Sequence, residues 1–263
     1  MTRRRREPAP WAFVVPATVA AAFFVLPLVG LVVRTPWSSA LSDLAAPAVL
    51  AALRLSLICS LAATVISLVL GVPLAWVYAR VDFPAKSVVR ALTTLPMVLP
   101  PVVGGIALLV AFGRRGLFGE QLTALGIRLP FSTAGVIVAE TFVAMPFLVI
   151  TVEAALRSMD RRYEDAARTL GASRVHLFRT VTLPLVGPAI VAGTVLCWAR
   201  ALGEFGATIT FAGNFPGETQ TMPLAAYLAL ETNPDSAVLL GLTLLAVSLV
   251  VLVALRDRFL RAL

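Results

Sequence analysis

Hydrophobic residues occupy six long segments of this 263-residue chain, and the polar stretches between them are short. Each apolar segment approaches or exceeds the roughly 20 residues that an α-helix needs to cross a lipid bilayer. The predicted spans are residues 11–33, 55–78, 91–112, 133–156, 185–202 and 237–255. No interval outside them is long enough for a separate folded domain. The expected fold class is therefore all-α, with residues 11–263 forming one polytopic transmembrane domain of six helices behind a short basic tail, residues 1–10.

The third predicted span, residues 91–112, contains several residues that interrupt helices. Pro96, Pro100 and Pro101 lack a backbone N–H donor, and the Gly104-Gly105 pair follows within one turn. Interrupted spans in transporters often mark the substrate path or a moving gate. A static kink filled by neighbouring helices is the alternative, and the sequence alone leaves both open.

Composition agrees with a membrane protein. The chain is 59% hydrophobic and 14% charged, whereas soluble domains average about 25% charged residues. A formal net charge of +8 is also compatible with nucleic-acid binding, but the chain has no nucleic-acid-reading motif or basic patch interleaved with aromatic residues. We therefore expect no nucleic-acid partner and interpret the basic residues as determinants of membrane orientation.

The distribution of basic residues predicts that orientation. With the N-terminal tail in the cytoplasm, sixteen of the 22 Lys and Arg residues fall in inner segments. This bias follows the positive-inside rule and predicts that both termini and residues 157–184 are cytoplasmic. Arg3–Arg6 and the 23-residue apolar run after them resemble a secretory signal, but the apolar core of a signal is about 7–15 residues long. A first transmembrane helix is therefore favoured.

Residues 157–184 form the most informative polar segment. Asp160 can cap a first short helix, and Gly171 is suited to the left-handed conformation that ends one. Ser173 can cap a second helix. The apolar positions of the first helix recur at helical spacing on one face: Tyr163, Ala166, Ala167 and Leu170. This pattern indicates a helix–turn–helix at the membrane surface.

Residues 157–184 resemble the signature of ABC importer permeases, which reads Glu-Ala-Ala, three residues, Gly, nine residues and Ile-x-Leu-Pro, and they are called the coupling loop below. Here the sequence is Asp165-Ala166-Ala167, Gly171 and Val181-Thr182-Leu183-Pro184 at the same spacing, with Asp in place of Glu and Val in place of Ile. In that family the segment is a coupling helix that docks into a groove on the ATP-binding subunit. The resemblance implies this role for Tyr163, Glu164, Asp165, Ala166, Ala167, Leu170, Gly171, Ala172 and Ser173. The residues alone also fit an amphipathic helix on lipid head groups.

Residues 200–224 resemble the molybdate permeases within the sulfate/molybdate group of importers. This segment is rich in Gly, Thr and Asn, which permit close backbone approach and offer neutral hydrogen-bond donors for an oxyanion. The residues proposed for the translocation path are Gly203, Gly206, Thr208, Thr210, Gly213 and Asn214. Sulfate, thiosulfate and tungstate are alternative substrates. The glycines can equally serve only to pack helices.

Ionisable residues within spans are usually paired or face a water-filled cavity. Glu140 lies well inside the fourth predicted span, and Arg200 lies near the outer end of the fifth. We predict an intramembrane pair between Glu140 and Arg200. Glu204 is four residues from Arg200 and is a local alternative partner on a helix.

No sequence feature of the chain indicates catalysis. It has no phosphate-binding Gly-rich loop, no metal-ligand cluster and a single His, so we expect a non-enzyme with no bound cofactor or metal. The resemblance implies an importer subunit in the bacterial inner membrane that works as a homodimer. It also implies two copies of a separate ATPase that uses the ATP, an extracytoplasmic oxyanion-binding protein, and contact with membrane lipid. The alternatives are an ion-coupled secondary transporter and a structural membrane subunit.

Overall fold

Helices make up nearly all of the regular structure in the computed structural model, which describes residues 10–254. The α-helices are α1 Trp11–Arg34, α2 Ala40–Leu44, α3 Pro47–Arg80, α4 Lys86–Thr94, α5 Pro101–Phe112, α6 Gly119–Ala124, α7 Thr133–Ser158, α8 Arg162–Thr169, α9 Arg174–Leu177, α10 Leu183–Leu202, α11 Gly206–Phe211, α12 Met222–Thr232 and α13 Pro234–Ala254. A 3₁₀ turn, Leu95–Met97, follows α4, and a π-helical turn, Phe178–Thr182, joins α9 to α10. The basic tail up to residue 9 and the last predicted span beyond residue 254 lie outside the described residues.

Five of the six predicted spans are single helices long and apolar enough to cross a membrane. They are Trp11–Arg34, Pro47–Arg80, Thr133–Ser158, Val175–Leu202 and Pro234–Val253. The helix of the second span begins eight residues before the predicted residue 55, because Pro47 and the alanines after it continue the helix in the N-terminal direction. Pro is well suited to this first helical position, where its missing N–H is not needed.

The third predicted span, 91–112, is not one helix. The segments Lys86–Met97 and Pro101–Phe112 meet at an angle of 119°. Pro100 has an extended backbone with ψ of 130°, and Pro101 begins α5. Because proline disfavours a helical conformation in the residue before it, the adjacent prolines stop one helix and start another. At 12 residues, α5 is about 18 Å long, which is shorter than the hydrocarbon core of a bilayer.

The central core lies between α3, α7 and α10. Tyr78, Leu148, Val149, Leu156 and Cys197 are fully buried there. Small residues bring the three helices close together: a Cβ at Gly71 would lie 3.2 Å from Val149, and one at Gly193 would lie 3.0 Å from Leu148. Close packing around small residues is the usual way in which helices associate in lipid.

A second close contact joins α5 to α11. A Cβ added to Gly105 would lie 2.6 Å from Cβ of Thr210, and one added to Gly206 would lie 2.7 Å from Cβ of Pro101. These distances are too short for any side chain. The two glycines therefore allow α5, the part of the interrupted span after the bend, to pack directly on α11.

We expect Gly105→Ala to destabilise the protein, because the added methyl must displace Thr210 and the backbone at Ala207. Overpacking of this kind costs about 1–3 kcal/mol. Gly187→Ala on α10 is the matched control, because a Cβ at Gly187 has nothing within 4 Å. Thermal unfolding of the detergent-purified variants measures the difference. Equal unfolding temperatures would contradict the close contact.

Candidate functional site

The coupling loop folds as the two short helices that the sequence predicts. The backbone N–H of Arg162 donates to Oδ1 of Asp160 at 2.9 Å, and the N–H of His176 donates to Oγ of Ser173 at 3.3 Å. Gly171 has φ of +81°, the left-handed conformation predicted for the end of α8. The N-cap position of α8 is Arg161, so Asp160 binds the start of the helix from one residue earlier than predicted, whereas Gly171 ends α8 as predicted.

The coupling helix α8 has two different faces. On one face, the predicted apolar positions remain accessible, with Tyr163 58% exposed and Leu170 88% exposed, while Ala167 is half-buried. On the other face, Glu164 is only 4% exposed. The exposed apolar face has no covering element among residues 10–254, which leaves it available to another protein.

Glu164 fastens the coupling helix to the transmembrane core. Its Oε1 accepts hydrogen bonds from Nη2 of Arg80 at 3.2 Å, Nε of Arg80 at 3.3 Å and Oγ1 of Thr182 at 3.2 Å. Both side chains of the ion pair are buried. Glu164 was grouped with the ATPase-contacting residues from the sequence. The structure instead turns it inward, so it holds α8 against α3 and the π-helical turn.

The sequence alone does not point to Arg80 or Thr182 as functional residues. A signal for Thr182 was present, because this residue lies inside the second half of the signature, Val181-Thr182-Leu183-Pro184. Thr182 donates to the carboxylate of Glu164, the residue directly before the first half of that signature. Arg80 ends α3, and nothing in its local sequence indicates a partner 84 residues away.

A second buried carboxylate joins three helix ends near the coupling loop. Glu153 on α7 is 1% exposed, and its two oxygens accept from Nε of Arg90 at 2.9 Å and Nε of Arg157 at 2.8 Å. Arg157 also donates to the backbone oxygen of Tyr78 at 3.4 Å, and the hydroxyl oxygens of Tyr78 and Thr93 are 2.6 Å apart. These contacts, which no local sequence pattern predicts, connect the cytoplasmic ends predicted for α3 and α7 with α4, the part of the interrupted span before the bend.

The predicted pair between Glu140 and Arg200 is not formed. Arg200 instead makes an ion pair with Glu204, one helical turn away, and the other Glu204 oxygen accepts from the N–H of Ala207 at 2.8 Å. Glu140 is 1% exposed and has no salt bridge within residues 10–254. Local spacing explains the difference: the chain turns at Gly203, and Glu204 caps α11 while it remains within reach of Arg200.

This arrangement predicts a contrast between two conservative variants. Glu204→Gln removes the charge that neutralises Arg200, and hydrogen bonds to charged groups contribute about 1.5–3 kcal/mol. Glu140→Gln keeps the shape of a side chain that has no cationic partner, so its effect is expected to be smaller. Thermal unfolding and membrane expression test the order. A larger loss of thermal stability for Glu140→Gln than for Glu204→Gln would favour the Glu140–Arg200 pair predicted from the sequence.

The residues proposed for the translocation path lie on and beside α11. Thr208 is fully buried, and neither its hydroxyl nor Oδ1 of Asn214 has a hydrogen-bond partner within the described residues. Thr210 donates to the backbone oxygen of Gly206 at 2.8 Å, and Gly213 has φ of +75°. Gly203 is exposed at the end of α10. Gly206 and Thr210 therefore have packing roles, whereas Thr208 and Asn214 keep buried polar atoms available.

The fold is that of an ABC importer permease. A chain of a bacterial ABC transporter involved in the import of the acidic polysaccharide alginate superposes with a TM-score of 0.77 at 19% identity, covering 95% of this chain and 94% of that one. A chain of the MetNI methionine ABC transporter gives a TM-score of 0.54 at 21% identity, covering 90% of this chain and 97% of that one. These similarities confirm the all-α polytopic class predicted from the sequence.

The chain belongs to the family of binding-protein-dependent transport system inner membrane components, which matches residues 67–263. Molybdenum transport system permease protein ModB of Mycobacterium tuberculosis is 47% identical over 248 residues, 94% of each chain. ModB of Escherichia coli K12 is 44% identical over 80% of this chain and 92% of its own length. Sulfate transport system permease protein CysT of Salmonella typhimurium is 36% identical over 89% and 87%. The chain is thus a multi-pass protein of the bacterial inner membrane.

Proposed function

We propose that this chain is the permease subunit of an ATP-driven importer that moves molybdate into the cytoplasm. The assignment of molybdate as the substrate rests on the order of similarity among the relatives. Proteins described as molybdenum transport permeases are more similar to this chain than the sulfate transport permease is, over comparable shares of each chain. Sulfate is the second candidate, because the same fold and a similar oxyanion serve that relative.

The exposed face of α8 supports a separate ATPase as the source of energy. A helix of eight residues is not stable by itself in water, so it needs packing partners. Glu164 supplies one contact on the membrane side, and the exposed Tyr163 and Leu170 are suited to a groove on a second protein. Among the coupling-loop residues predicted from the sequence, those on the exposed apolar face fit this docking role: Tyr163, Ala166, Ala167 and Leu170. ATP is then used by the partner, and this chain holds no cofactor.

In the proposed cycle, two copies of the chain enclose the path and each docks one copy of the ATPase. ATP binding draws the two ATPase copies together and moves the coupling helices with them. An extracytoplasmic binding protein delivers the oxyanion. The hydroxyl of Thr208, a buried neutral donor without a partner among the described residues, can donate to the oxyanion when the path opens, without a fixed positive charge. Weak contacts of this kind allow the anion to leave as well as enter.

Uptake in proteoliposomes tests the proposal. The chain is reconstituted with its cognate ATPase and binding protein, and uptake of labelled molybdate is compared with that of sulfate and tungstate. We expect ATP-dependent molybdate uptake that excess unlabelled sulfate does not suppress. ATP-dependent sulfate uptake with no molybdate uptake would assign the second candidate. Molybdate uptake that proceeds equally without the ATPase would indicate an ion-coupled transporter and overturn the proposal.

A further inference from the structure

A cavity of about 890 Å³ lies between the coupling helix and the neighbouring ends of α3 and α10. One wall is apolar and includes Trp76, Phe178 and Leu183. Trp76 lies four residues before the end of α3, and Leu183 is the first residue of α10, so this wall is formed where two membrane spans end. Tryptophan is enriched at this depth, where the hydrocarbon meets the head groups.

The rest of the lining is strongly basic. Arg80 is neutralised by Glu164, which leaves Arg161, Arg168 and Arg179 with Asp165 as the remaining carboxylate. Asp165 lies 3.5 Å from Arg168, and both side chains are exposed. Because water screens such a pair, Asp165 leaves Arg168 available to an anionic ligand. Three exposed arginines beside an apolar wall favour a ligand that is anionic at one end and apolar at the other.

The cavity does not coincide with the face proposed for the ATPase. The cavity residues on and beside α8 recur at helical spacing on one side of the helix: Arg161, Glu164, Asp165, Arg168 and Ala172. Tyr163 and Leu170 lie on the other side and are exposed. Both faces can therefore be occupied together, one by protein and the other by a ligand from the membrane.

We propose that this cavity binds an anionic phospholipid of the inner leaflet. Its phosphate lies among Arg161, Arg168 and Arg179, and one acyl chain lies along Trp76, Phe178 and Leu183. Basic pockets between spans on the cytoplasmic side are suited to such head groups. The proposal depends on the cytoplasmic position of the coupling loop and is independent of which oxyanion is transported.

Quenching of Trp76 fluorescence by brominated lipid measures occupancy directly. The full chain, with Trp11, Trp37 and Trp198 replaced by Phe, is placed in nanodiscs with brominated phosphatidylglycerol or brominated phosphatidylcholine. We expect stronger quenching by phosphatidylglycerol, because each arginine near the membrane surface contributes about 1 kcal/mol, roughly fivefold in affinity. High salt is expected to weaken the preference through screening. Equal quenching by the two lipids at low salt would overturn the proposal.

Two triple variants test whether the preference for the anionic lipid comes from this cavity or from the positive charge of the protein as a whole. The triple variant Arg161→Gln, Arg168→Gln, Arg179→Gln is expected to lose the preference, by about fivefold for each arginine. The matched control is Arg114→Gln, Arg115→Gln, Arg128→Gln, which removes three exposed arginines from the loops around α6 and is expected to retain it. The same result for both triple variants would contradict the assignment.

Two additions to the nanodisc sample test other occupants. Molybdate is titrated at fixed ionic strength, and the cognate ATPase is added separately. Quenching that persists in both cases supports a lipid site. If molybdate abolishes the phosphatidylglycerol preference, the cavity is an oxyanion site and the lipid proposal is wrong. If the ATPase abolishes it, the cavity belongs to the protein interface and the proposal is equally wrong.

Discussion

Glu164→Gln is expected to abolish coupled uptake while the transmembrane helices remain inserted. The amide can still accept a hydrogen bond from Thr182, but it leaves the buried guanidinium of Arg80 without a counter-charge. Removing one partner of a buried ion pair costs about 3–5 kcal/mol. At about 1.4 kcal/mol for each tenfold change, the properly seated coupling helix loses at least roughly 100-fold in population. The ATPase would then engage a helix that is no longer fastened to α3.

Co-purification of the ATPase and the ratio of molybdate taken up to ATP hydrolysed measure this loss. Asp165→Asn is the matched control, because it changes the neighbouring carboxylate, which is exposed and makes only a 3.5 Å surface pair. The double variant Arg80→Met, Glu164→Leu is expected to recover thermal stability, because no charge is left buried without a partner. Normal uptake by Glu164→Gln would remove the inward role that we assign to this residue.

The sequence was sufficient for those features that a bilayer or a short helix imposes locally. A membrane span must be about 20 apolar residues long, so α1, α7 and α10 were recognisable as single runs without a three-dimensional structure. The ends of α8 and α9 depend on Asp160, Gly171 and Ser173 acting on backbone groups within three residues. Such short-range interactions can be predicted from the sequence alone.

Features that depend on distant segments were predicted less well. The prolines at 100 and 101 predicted an interruption, but the 119° angle also depends on Gly105 resting against Ala207 and Thr210, more than 100 residues away. The Glu140–Arg200 pair failed for a related reason. Both residues were correctly recognised as ionisable groups within spans, yet a local partner at Glu204 had already satisfied Arg200. Burial of Glu164 and Glu153 likewise follows from helix packing that no local pattern records.

The contacts around Glu153 predict a pronounced departure from additivity. This carboxylate is buried and is held by two half-exposed arginines, so either Arg90 or Arg157 can neutralise it alone. Arg90→Gln and Arg157→Gln are each expected to cost about 1 kcal/mol, because water solvates an exposed arginine well. The double variant leaves a buried negative charge without a cation, and we expect a loss of about 3–5 kcal/mol, well above the sum of the two single losses.

Adding Glu153→Gln to that double variant supplies the decisive comparison, because it removes the stranded charge and is expected to restore most of the thermal stability. Uptake is not expected to recover with it. The link from α7 to α4 through Arg90 remains absent in the triple variant, so movement of the coupling loop reaches the interrupted span only through the Tyr78–Thr93 contact and is transmitted less strongly. The uptake-to-ATP ratio should therefore stay low while the unfolding temperature rises. Recovery of both the unfolding temperature and the uptake-to-ATP ratio would show that Glu153 only stabilises the fold. If the stability loss of the double arginine variant equals the sum of the two single losses, the two arginines do not share the Glu153 charge.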